Sequence, residues 1–407
     1  MNLQLEKFSF IKNNHYYKFI RDIVIPFCFK IVSKMFSDDV DENLIIMGAY
    51  AGNKFMDNTR TLFEFLSNCS KYKVVWMAKS KKIVRNINSK GYNAVSALNF
   101  NAIRLLRKAK FIFITHGIYD LLPIEISPKT TVILTWHGTP IKKIALDQKD
   151  KYYLYTKWGS IFKLKLRYDD YLNYVLTPTA GNLEHKNLSS AFKVPLNKII
   201  NLGYPRHDII FNTDKAFIKS LKKKNNIPDT FDRVILYCPT FRDSRTSLFR
   251  LTDQDLNSLN IMLKKTNSIF LTKGHLFGSV SDYAGYPNIR TISKDVDIQE
   301  LYTFTDVLIT DYSSTMLDFS LLDRPILLFP YDLEEYMRKR GMYYDLQDIA
   351  PGPLLFTFDD LLETLRDIDK IEKTYAEKRR KIRDRFNKYV DGNSTTRILD
   401  FLNIKYH

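Results

Sequence analysis

The sequence predicts an α/β protein with two parallel sheets, each covered by helices on both faces. From about residue 44, short apolar runs alternate with longer amphipathic ones, and a second series of this kind follows a basic helix at 215–224. Such alternation is the pattern of parallel sheets built from βαβ units. Neither G-x-G-x-x-G nor G-x-x-x-x-G-K-[ST] occurs, which disfavours nicotinamide oxidoreductases and P-loop nucleotidases.

The two series predict the individual elements. The first predicts strands at 44–47, 74–77, 94–97, 111–115, 132–136, 175–177 and 199–202, with helices at 58–68, 81–90 and 102–108. The second predicts strands at 234–237, 269–272, 307–310 and 326–329, with helices at 256–265, 315–322, 370–389 and 395–402. A connection at 203–214 joins the halves. Two such domains facing each other place a ligand cleft at the carboxyl ends of both sheets.

Composition narrows the class of partner. The chain of 407 residues has 62 Lys and Arg against 45 Asp and Glu, a net charge of +17. This excess favours an anionic partner: a nucleic acid, a phosphorylated small molecule or the inner face of a membrane. A hydrophobic content of 45% excludes wholesale disorder. Cys28, Cys69 and Cys238 are too few for a disulfide scaffold and lack the paired spacing of a zinc site. No grouping of Asp, Glu and His resembles a metal site either, so we expect no metal.

The amino-terminal segment, residues 1–43, is basic and amphipathic. Lysines interrupt its apolar residues and no cleavage site follows, which argues against a signal peptide. Its longest uncharged run, 23–29, is far below the ~20 residues that a membrane-spanning helix needs. A helix lying in an anionic membrane interface and a helix packed on the domain behind it both fit this composition. We expect a cytosolic chain.

The first unusual group of residues follows the strand at 132–136. His137 begins a turn, Thr139 is a suitable N-cap, and Pro140 suits the first position of a helix whose free N–H groups would bind an anion. A histidine there suits a general base, because its pKa lies near working pH. The alternative is a structural histidine that caps the turn. His116 also follows a strand, but no pattern supports it, and we interpret it as structural.

The second group follows the strand at 307–310. Ser313 and Ser314 begin a helix and offer hydroxyl and backbone donors to a phosphate. Asp318 lies one helical turn further along the same face, where a carboxylate can accept hydrogen bonds from ribose hydroxyls. Asp311, at the end of the strand, is interpreted as a turn stabiliser. An ordinary N-cap is the alternative interpretation of either serine alone.

Further cations follow other strands. Thr240 and Arg242 come after the strand at 234–237, although Arg242 can instead form a surface ion pair. Lys273 and His275 follow the strand at 269–272, and Arg206 lies in the connection between the domains. Together with His137 and the serines, these residues predict one cleft that suits a diphosphate ligand carrying a ribose.

Six motifs in this order resemble a known family. They are GNKFMDN at 52–58, WHGTP at 136–140 with Lys142 and Lys143, GYPRHD at 203–208, PTFRD at 239–243, DYSS at 311–314 with Asp318, and PGP at 351–353. Over roughly 44–402 the chain resembles the CDP-glycerol glycerophosphotransferases, the primases and polymerases of teichoic acids and related capsules. The resemblance implies a GT-B fold, with two Rossmann-like domains around a central cleft. It also implies transfer of glycerol phosphate from CDP-glycerol, with release of CMP and no cofactor.

The resemblance also implies roles for individual residues. His137 matches the family's proposed base, which takes a proton from an acceptor hydroxyl attacking the β-phosphorus. Asp318 is expected to hold the ribose. The donor-binding positions matched are Gly138, Thr139, Arg206, Thr240, Phe241, Lys273, Gly274, His275, Ser313, Ser314 and Asp318. Relatives often have bulkier residues before the histidine at 275, so Gly274 departs from the family pattern and the resemblance does not specify its role.

The same resemblance suggests how the chain is divided. We expect an acceptor domain at 44–212, a CDP-glycerol-binding domain at 213–389 and a helix at 390–407 that packs back on the first domain. A basic-aromatic stretch at 151–174 fits either a membrane-docking segment or a solvated helix with a buried aromatic face. The expected acceptor is lipid-linked or an oligomeric glycerol phosphate, at the cytoplasmic face of the cell membrane.

Two other functions fit parts of the sequence. The motifs specify that the donor is a diphosphate, but they specify the group that it transfers less well. CDP-ribitol or a nucleotide sugar is therefore an alternative donor. A non-catalytic nucleic-acid-binding protein would also explain the charge of +17. The sequence contains no recognisable nucleic-acid-reading module, and we expect no nucleic-acid partner.

Overall fold

The computed structural model describes residues 24–69, 71–148, 171–240, 251–273 and 285–406. Within these residues the chain forms two parallel sheets flanked by helices, which confirms the predicted α/β architecture. The two faces of each sheet are covered by separate apolar clusters. In the first strand, for example, Leu44 and Ile46 belong to one cluster and Ile45 and Met47 to the other. Burial on both faces explains why the strands are continuous apolar runs.

The first sheet has seven described strands in the order β3-β2-β1-β4-β5-β6-β7. The strands are β1 (Asp41–Met47), β2 (Lys73–Ala78), β3 (Ala94–Ser96), β4 (Ala109–Ile114), β5 (Thr131–Leu134), β6 (Tyr174–Thr177) and β7 (Ile199–Asn201). The accompanying helices are α1 (Ile25–Ser33), α2 (Asp57–Cys69), α3 (Lys81–Asn88), α4 (Phe100–Lys108), α5 (Asn182–Phe192) and α6 (Asp208–Phe211).

The second sheet has five described strands in the order β10-β9-β8-β11-β12. The strands are β8 (Arg233–Tyr237), β9 (Ser268–Lys273), β10 (Ile289–Ile292), β11 (Val307–Thr310) and β12 (Ile326–Leu328). The helices are α7 (Lys215–Lys224), α8 (Asp253–Lys265), α9 (Ile298–Tyr302), α10 (Thr315–Phe319), α11 (Leu333–Arg340), α12 (Leu346–Ile349), α13 (Phe358–Arg366), α14 (Ile368–Thr374) and α15 (Ala376–Phe386). A last helix, α16, spans Ser394–Phe401.

Both sheets reverse their strand order next to their first strand. The reversal falls between β1 and β4 in the first sheet and between β8 and β11 in the second. At such a switch point the loops after the two strands turn in opposite directions and leave a crevice outside their carboxyl ends. The residues that follow these four strands are therefore placed to line a ligand site.

The end of the chain returns from the second domain to the first. Phe386, in α15, belongs to the core of the second domain, whereas Ile398 and Leu399, in α16, pack in the core of the first. The carboxylate of Asp208 accepts the backbone N–H groups of Ser394 and Thr395, at 2.9 and 2.7 Å, and so caps the start of α16.

Several predicted boundaries were wrong for local reasons. The strand expected at 132–136 ends at Leu134, because Trp136 adopts a left-handed φ of 56°. The helix expected at 370–389 is interrupted at Tyr375 and ends at Phe386. Strand β10 was missed because its middle residues are polar and partly exposed. Among the described helices, none is long and apolar enough to cross a membrane.

Candidate active site

His137 lies in the turn that follows β5. Trp136 before it has a φ of 56° and Gly138 after it a φ of 153°, so the chain reverses sharply around the histidine. Nδ1 of His137 lies 3.3 Å from the carbonyl oxygen of Thr115. Because a carbonyl can only accept, Nδ1 carries the hydrogen in this bond and Nε2 of a neutral ring keeps its lone pair.

The surroundings of His137 favour the neutral imidazole. Burial lowers its pKa well below the ordinary histidine value, and the neighbouring His116, Arg206 and Lys142 lower it further. The hydrogen bond to Thr115 acts in the opposite direction without reversing the shift. A neutral ring with an available Nε2 can accept a proton near neutral pH.

The turn at His137 does not lead into the helix predicted after Pro140. Residues 141–143 are extended and pair with residues 341–343 of the second domain. The amide of Lys143 donates to the carbonyl of Gly341 at 3.2 Å, and the amide of Tyr343 donates to that of Ile141 at 3.0 Å. The pairing engages these backbone groups, so Thr139 caps no helix and this loop offers no helix N-terminus to an anion. Instead, it ties the His137 turn to the second domain.

Ser313 and Ser314 stand at the start of α10, as predicted. Ser314 is the residue before the helix and lies opposite Gly138 of the first domain. A Cβ added to Gly138 would come 2.8 Å from Oγ of Ser314. The glycine therefore allows the two domains to approach each other at the site, directly beside His137.

Thr240 is held at the end of β8 by the residue that follows β11. Asp311 accepts the backbone N–H of Thr240 at 2.9 Å and its hydroxyl at 2.7 Å, which confirms Asp311 as a turn stabiliser. Nζ of Lys142 donates to Oγ1 of Thr240 at 3.2 Å from the first domain. This bond brings a cation to the switch point of the second sheet.

Arg206 and Asp318 form an ion pair with each other and do not face an open cleft. Nη2 of Arg206 lies 2.6 Å from Oδ2 of Asp318, and Nη1 lies 3.2 Å from Oδ1 of Asp57. His207 occupies the other oxygen of Asp318, Oδ1, at 2.9 Å. Burial would raise the pKa of Asp318, but Arg206 and His207 hold it below its usual value. Each carboxylate oxygen of Asp318 thus already accepts a hydrogen bond within the protein. Arg206 and His207 are the partners that the structure shows, and the expected direct contact with a ribose stays a prediction.

Two further contacts join the domains, and both start from helix α2. The backbone N–H of Asp57, at the start of α2, donates to Oδ2 of Asp297 at 3.0 Å. Nη1 of Arg60, on the same helix, lies 2.8 Å from Oε1 of Glu300 on α9. These bonds hold α2 of the first domain against the start of α9.

Lys273 ends β9 and reaches across the carboxyl end of the second sheet. Its Nζ donates to the carbonyl oxygens of Ser293, at 3.3 Å, and of Val296. Burial lowers its pKa. The remaining predicted donor-binding residues, Phe241, Gly274 and His275, lie outside the described residues, as do Arg242 and most of the stretch at 151–174. In the part of the chain that the structure describes, no cluster of His, Cys, Asp and Glu could hold a metal ion.

The comparison with protein families decides the class of this site. Residues 29–403 match the family described as CDP-Glycerol:Poly(glycerophosphate) glycerophosphotransferase. The chain belongs to this family. Membership confirms the resemblance drawn from the motifs and the predicted class of enzyme, a glycerophosphotransferase of teichoic acid synthesis.

Individual relatives support the assignment. The chain is 31% identical over 381 residues to the teichoic acid glycerol-phosphate transferase of Staphylococcus aureus, with 91% of this chain and 94% of that protein covered. It is 28% identical over 387 residues to the teichoic acid poly(glycerol phosphate) polymerase of Staphylococcus epidermidis, where it spans 51% of the length. The wall teichoic acid polymerase TagF matches with a TM-score of 0.77 and 25% identity, over 95% of each chain. This match confirms the GT-B fold.

Sequence reasoning missed three residues of this glycerophosphotransferase site. His116 stacks on His137, with ring centroids 3.8 Å apart and an interplanar angle of 4°. Asp57 binds Arg206, and Lys142 binds Thr240. Lys142 and Asp57 belong to motifs that carry the resemblance, and their place in these motifs could have marked them as site residues. For His116 the sequence holds no signal, because the stacking joins the loops after two different strands.

Proposed function

We propose that this glycerophosphotransferase moves glycerol phosphate from CDP-glycerol to a hydroxyl of a membrane-linked acceptor and releases CMP. The observation that carries the proposal is the hydrogen bond from Nδ1 of His137 to the carbonyl of Thr115. This bond leaves Nε2 of a neutral ring as the proton acceptor, beside the loop that carries Ser313 and Ser314.

The proposed step is a displacement at phosphorus. The acceptor hydroxyl oxygen forms a bond to the β-phosphorus of CDP-glycerol while the bond from that phosphorus to the bridging oxygen breaks. The electron pair leaves with CMP, and the hydroxyl proton passes to Nε2 of His137. Positioning of the two reactants and stabilisation of charge on the departing phosphate supply the rate enhancement.

Unsatisfied polar atoms support a diphosphate at this position. Oγ1 of Thr139 and Nε of Arg206 are buried and have no hydrogen-bond partner among the described residues. Such atoms are costly unless a ligand or water completes their bonds. We assign them, with Ser313, Ser314 and Lys273, to the donor diphosphate. Phe241, Gly274 and His275 are added on the family pattern alone.

For Asp318 we propose an indirect role. Its carboxylate orients the guanidinium of Arg206 and the imidazole of His207, which themselves stand between the domains. In this arrangement Asp318 affects donor binding through the position of Arg206.

An exposed apolar patch supports docking to a membrane. On and just after α1, Phe27, Ile31 and Met35 are 62, 52 and 82% exposed, and beside them Leu98 and Phe100 are 70 and 68% exposed. The ring of Phe36 contacts that of Phe100 at 5.5 Å and so joins the two parts. Lys30 and Lys34 flank this patch. Apolar side chains rimmed by lysines suit an anionic lipid surface.

Donor identity is tested by thermal shift and product mass. Stabilisation by CDP-glycerol or CMP, but not by UDP-sugars or oligonucleotides, supports the proposal. The purified chain is then incubated with CDP-glycerol or, in a separate reaction, with CDP-ribitol, each together with lipid-linked or oligomeric acceptors, and products are read by mass spectrometry. Products that grow by ribitol phosphate, or stabilisation by oligonucleotides alone, would replace it with one of the alternatives.

Membrane docking is tested by flotation with anionic vesicles. Phe27→Ser with Met35→Ser should lower the bound fraction, and turnover of a water-soluble acceptor should be unchanged. Ile261→Ser is the matched control, because Ile261 is 67% exposed on α8 of the second domain. Equal binding of the wild type and the double variant would remove the patch from membrane docking.

A further inference from the structure

Two imidazole rings lie face to face in the site, although the reaction needs a single base. His116, after β4, and His137, after β5, have ring centroids 3.8 Å apart and nearly parallel planes. We propose that His116 is a positioning residue, which holds the His137 ring in the plane and tautomer that present Nε2 to the acceptor hydroxyl. The inference rests on the proposed function of His137 as the base.

Thr115 anchors both rings. Its carbonyl oxygen accepts from Nδ1 of His137 at 3.3 Å, and its hydroxyl lies 2.7 Å from Nδ1 of His116. Asp120, which is fully buried, accepts the backbone N–H groups of Thr115 and His116 at 2.7 and 2.8 Å, and the hydroxyl of Thr115 at 3.0 Å. The stack therefore rests on a rigid, hydrogen-bonded support.

Aromatic rings enclose the pair from both sides. The ring of Tyr50 lies 4.5 Å from that of His116, and the ring of Trp136 lies 4.0 Å from that of His137. Tyr50 adopts a left-handed φ of 49° and is held by a bond from its hydroxyl to Asp57 at 3.0 Å. Removal of the His116 ring would leave a gap between Tyr50 and His137, into which the imidazole of His137 could turn.

Charged groups around the two rings affect the pKa values of His116 and His137, and His116 itself also lowers the pKa of His137. Asp120, Asp57 and Lys54 act on His116, whose pKa is lowered mainly by burial. Arg206, in the turn after β7, and Lys142, in the segment after β5, lower the pKa of His137. Two stacked imidazoles titrate as a coupled pair, since a proton on one opposes a proton on the other. A proton taken by His137 during turnover is accommodated only while His116 stays neutral.

The test compares His116→Ala with His116→Phe. The alanine variant loses the stack, and we expect kcat to fall by roughly 10²-fold, the usual cost of a misplaced reacting group, with unchanged CDP-glycerol affinity. The phenylalanine variant keeps a ring in place and should recover most of this loss. In the alanine variant the acid limb of the pH–rate profile should also move to higher pH, because water reaches His137. His185→Phe is the matched control: His185 bonds the carbonyl of Thr179 at 2.9 Å, away from the stack.

Side-chain nitrogen NMR of the histidines gives a readout that does not depend on turnover. The wild type should show His137 as the Nδ1–H tautomer, and His116→Ala should show a mixture of tautomers and a raised pKa of His137. Unchanged tautomer and pKa in a folded His116→Ala variant would overturn the inference. If the wild type released no CMP from CDP-glycerol, the proposed function would fail while the NMR result still decided the role of His116.

Discussion

Arg206 and Asp318 form an ion pair across the two domains, with Nη2 of the arginine 2.6 Å from Oδ2 of the aspartate. Both side chains are about 95% buried. Arg206 lies in the turn after β7 and Asp318 lies on α10, one turn after Ser314. The pair thus connects the first domain to the helix whose start faces Gly138, so domain closure and the geometry of the site depend on the same contact.

Loss of one partner should destabilise the whole protein. Asp318→Asn leaves the buried guanidinium of Arg206 with one carboxylate fewer, and breaking a buried pair in this way costs about 3–5 kcal/mol. We expect a lower free energy of unfolding in denaturant and a weaker response to CDP-glycerol. Full stability of Asp318→Asn with weaker donor binding would instead favour a direct contact between Asp318 and the ribose.

Removal of the base should affect turnover and leave binding intact. His137→Asn keeps a polar side chain in the turn but has no nitrogen lone pair to take the proton. We expect kcat for acceptor-dependent CMP release to fall by roughly 10²–10⁴-fold. The thermal shift produced by CDP-glycerol should stay that of the wild type. Normal turnover in a folded variant would remove His137 from the mechanism, and His185→Asn serves as the control substitution.

The lowered pKa of His137 predicts the pH dependence of activity. Since the neutral ring is the active form, kcat/KM should stay constant through neutral pH and fall only well below the ordinary histidine value of 6.5. The same shift affects folding: the unfolded chain binds a proton at 6.5 while the folded chain does not, so stability is lost as pH falls below that value. A pH–rate profile with its acid limb at or above 6.5 would contradict the neutral base.

The close approach at Gly138 predicts a steric effect. Gly138→Ala would place a methyl group 2.8 Å from Oγ of Ser314, at a φ of 153° that side chains rarely adopt. We expect the domains to separate at the site and kcat/KM to fall by about 10²-fold or more, with the circular dichroism spectrum retained. Gly91→Ala is the matched control, since Gly91 also has a positive φ, 83°, but no atom lies near its added Cβ. Equal activities of the two variants would argue against this role for Gly138.

The fold was predictable because local patterns determine most of it. Apolar runs such as 44–47 and 307–310 are strands that the structure buries on both faces. Edge strand β10 carries a weaker pattern, because Arg290 and Thr291 in its middle are polar and not buried. The helix predicted after Pro140 failed for another reason: residues 341–343, two hundred positions away, pair with this segment.

The site was predictable where a reactive or polar residue directly follows a strand and belongs to a recognisable motif. His137, Ser314 and Thr240 stand at such ends, and the segment that carries His137 meets Ser314 at Gly138 and Thr240 through Lys142. The partners of Asp318 were not predictable, because an aspartate one turn into a helix has the same local sequence whether it meets a ribose or an arginine. The stacking of His116 was missed for the same reason, since it depends on how two loops are placed by the sheet.

The most direct test of this account is acceptor-dependent release of CMP from CDP-glycerol, measured for the wild type and His137→Asn under identical conditions. The wild type should release CMP only when an acceptor hydroxyl is present, with one glycerol phosphate added for each CMP. His137→Asn should bind the donor and release CMP at least roughly 10²-fold more slowly. Equal rates for the two proteins, or no CMP from the wild type with any hydroxyl acceptor, would contradict it.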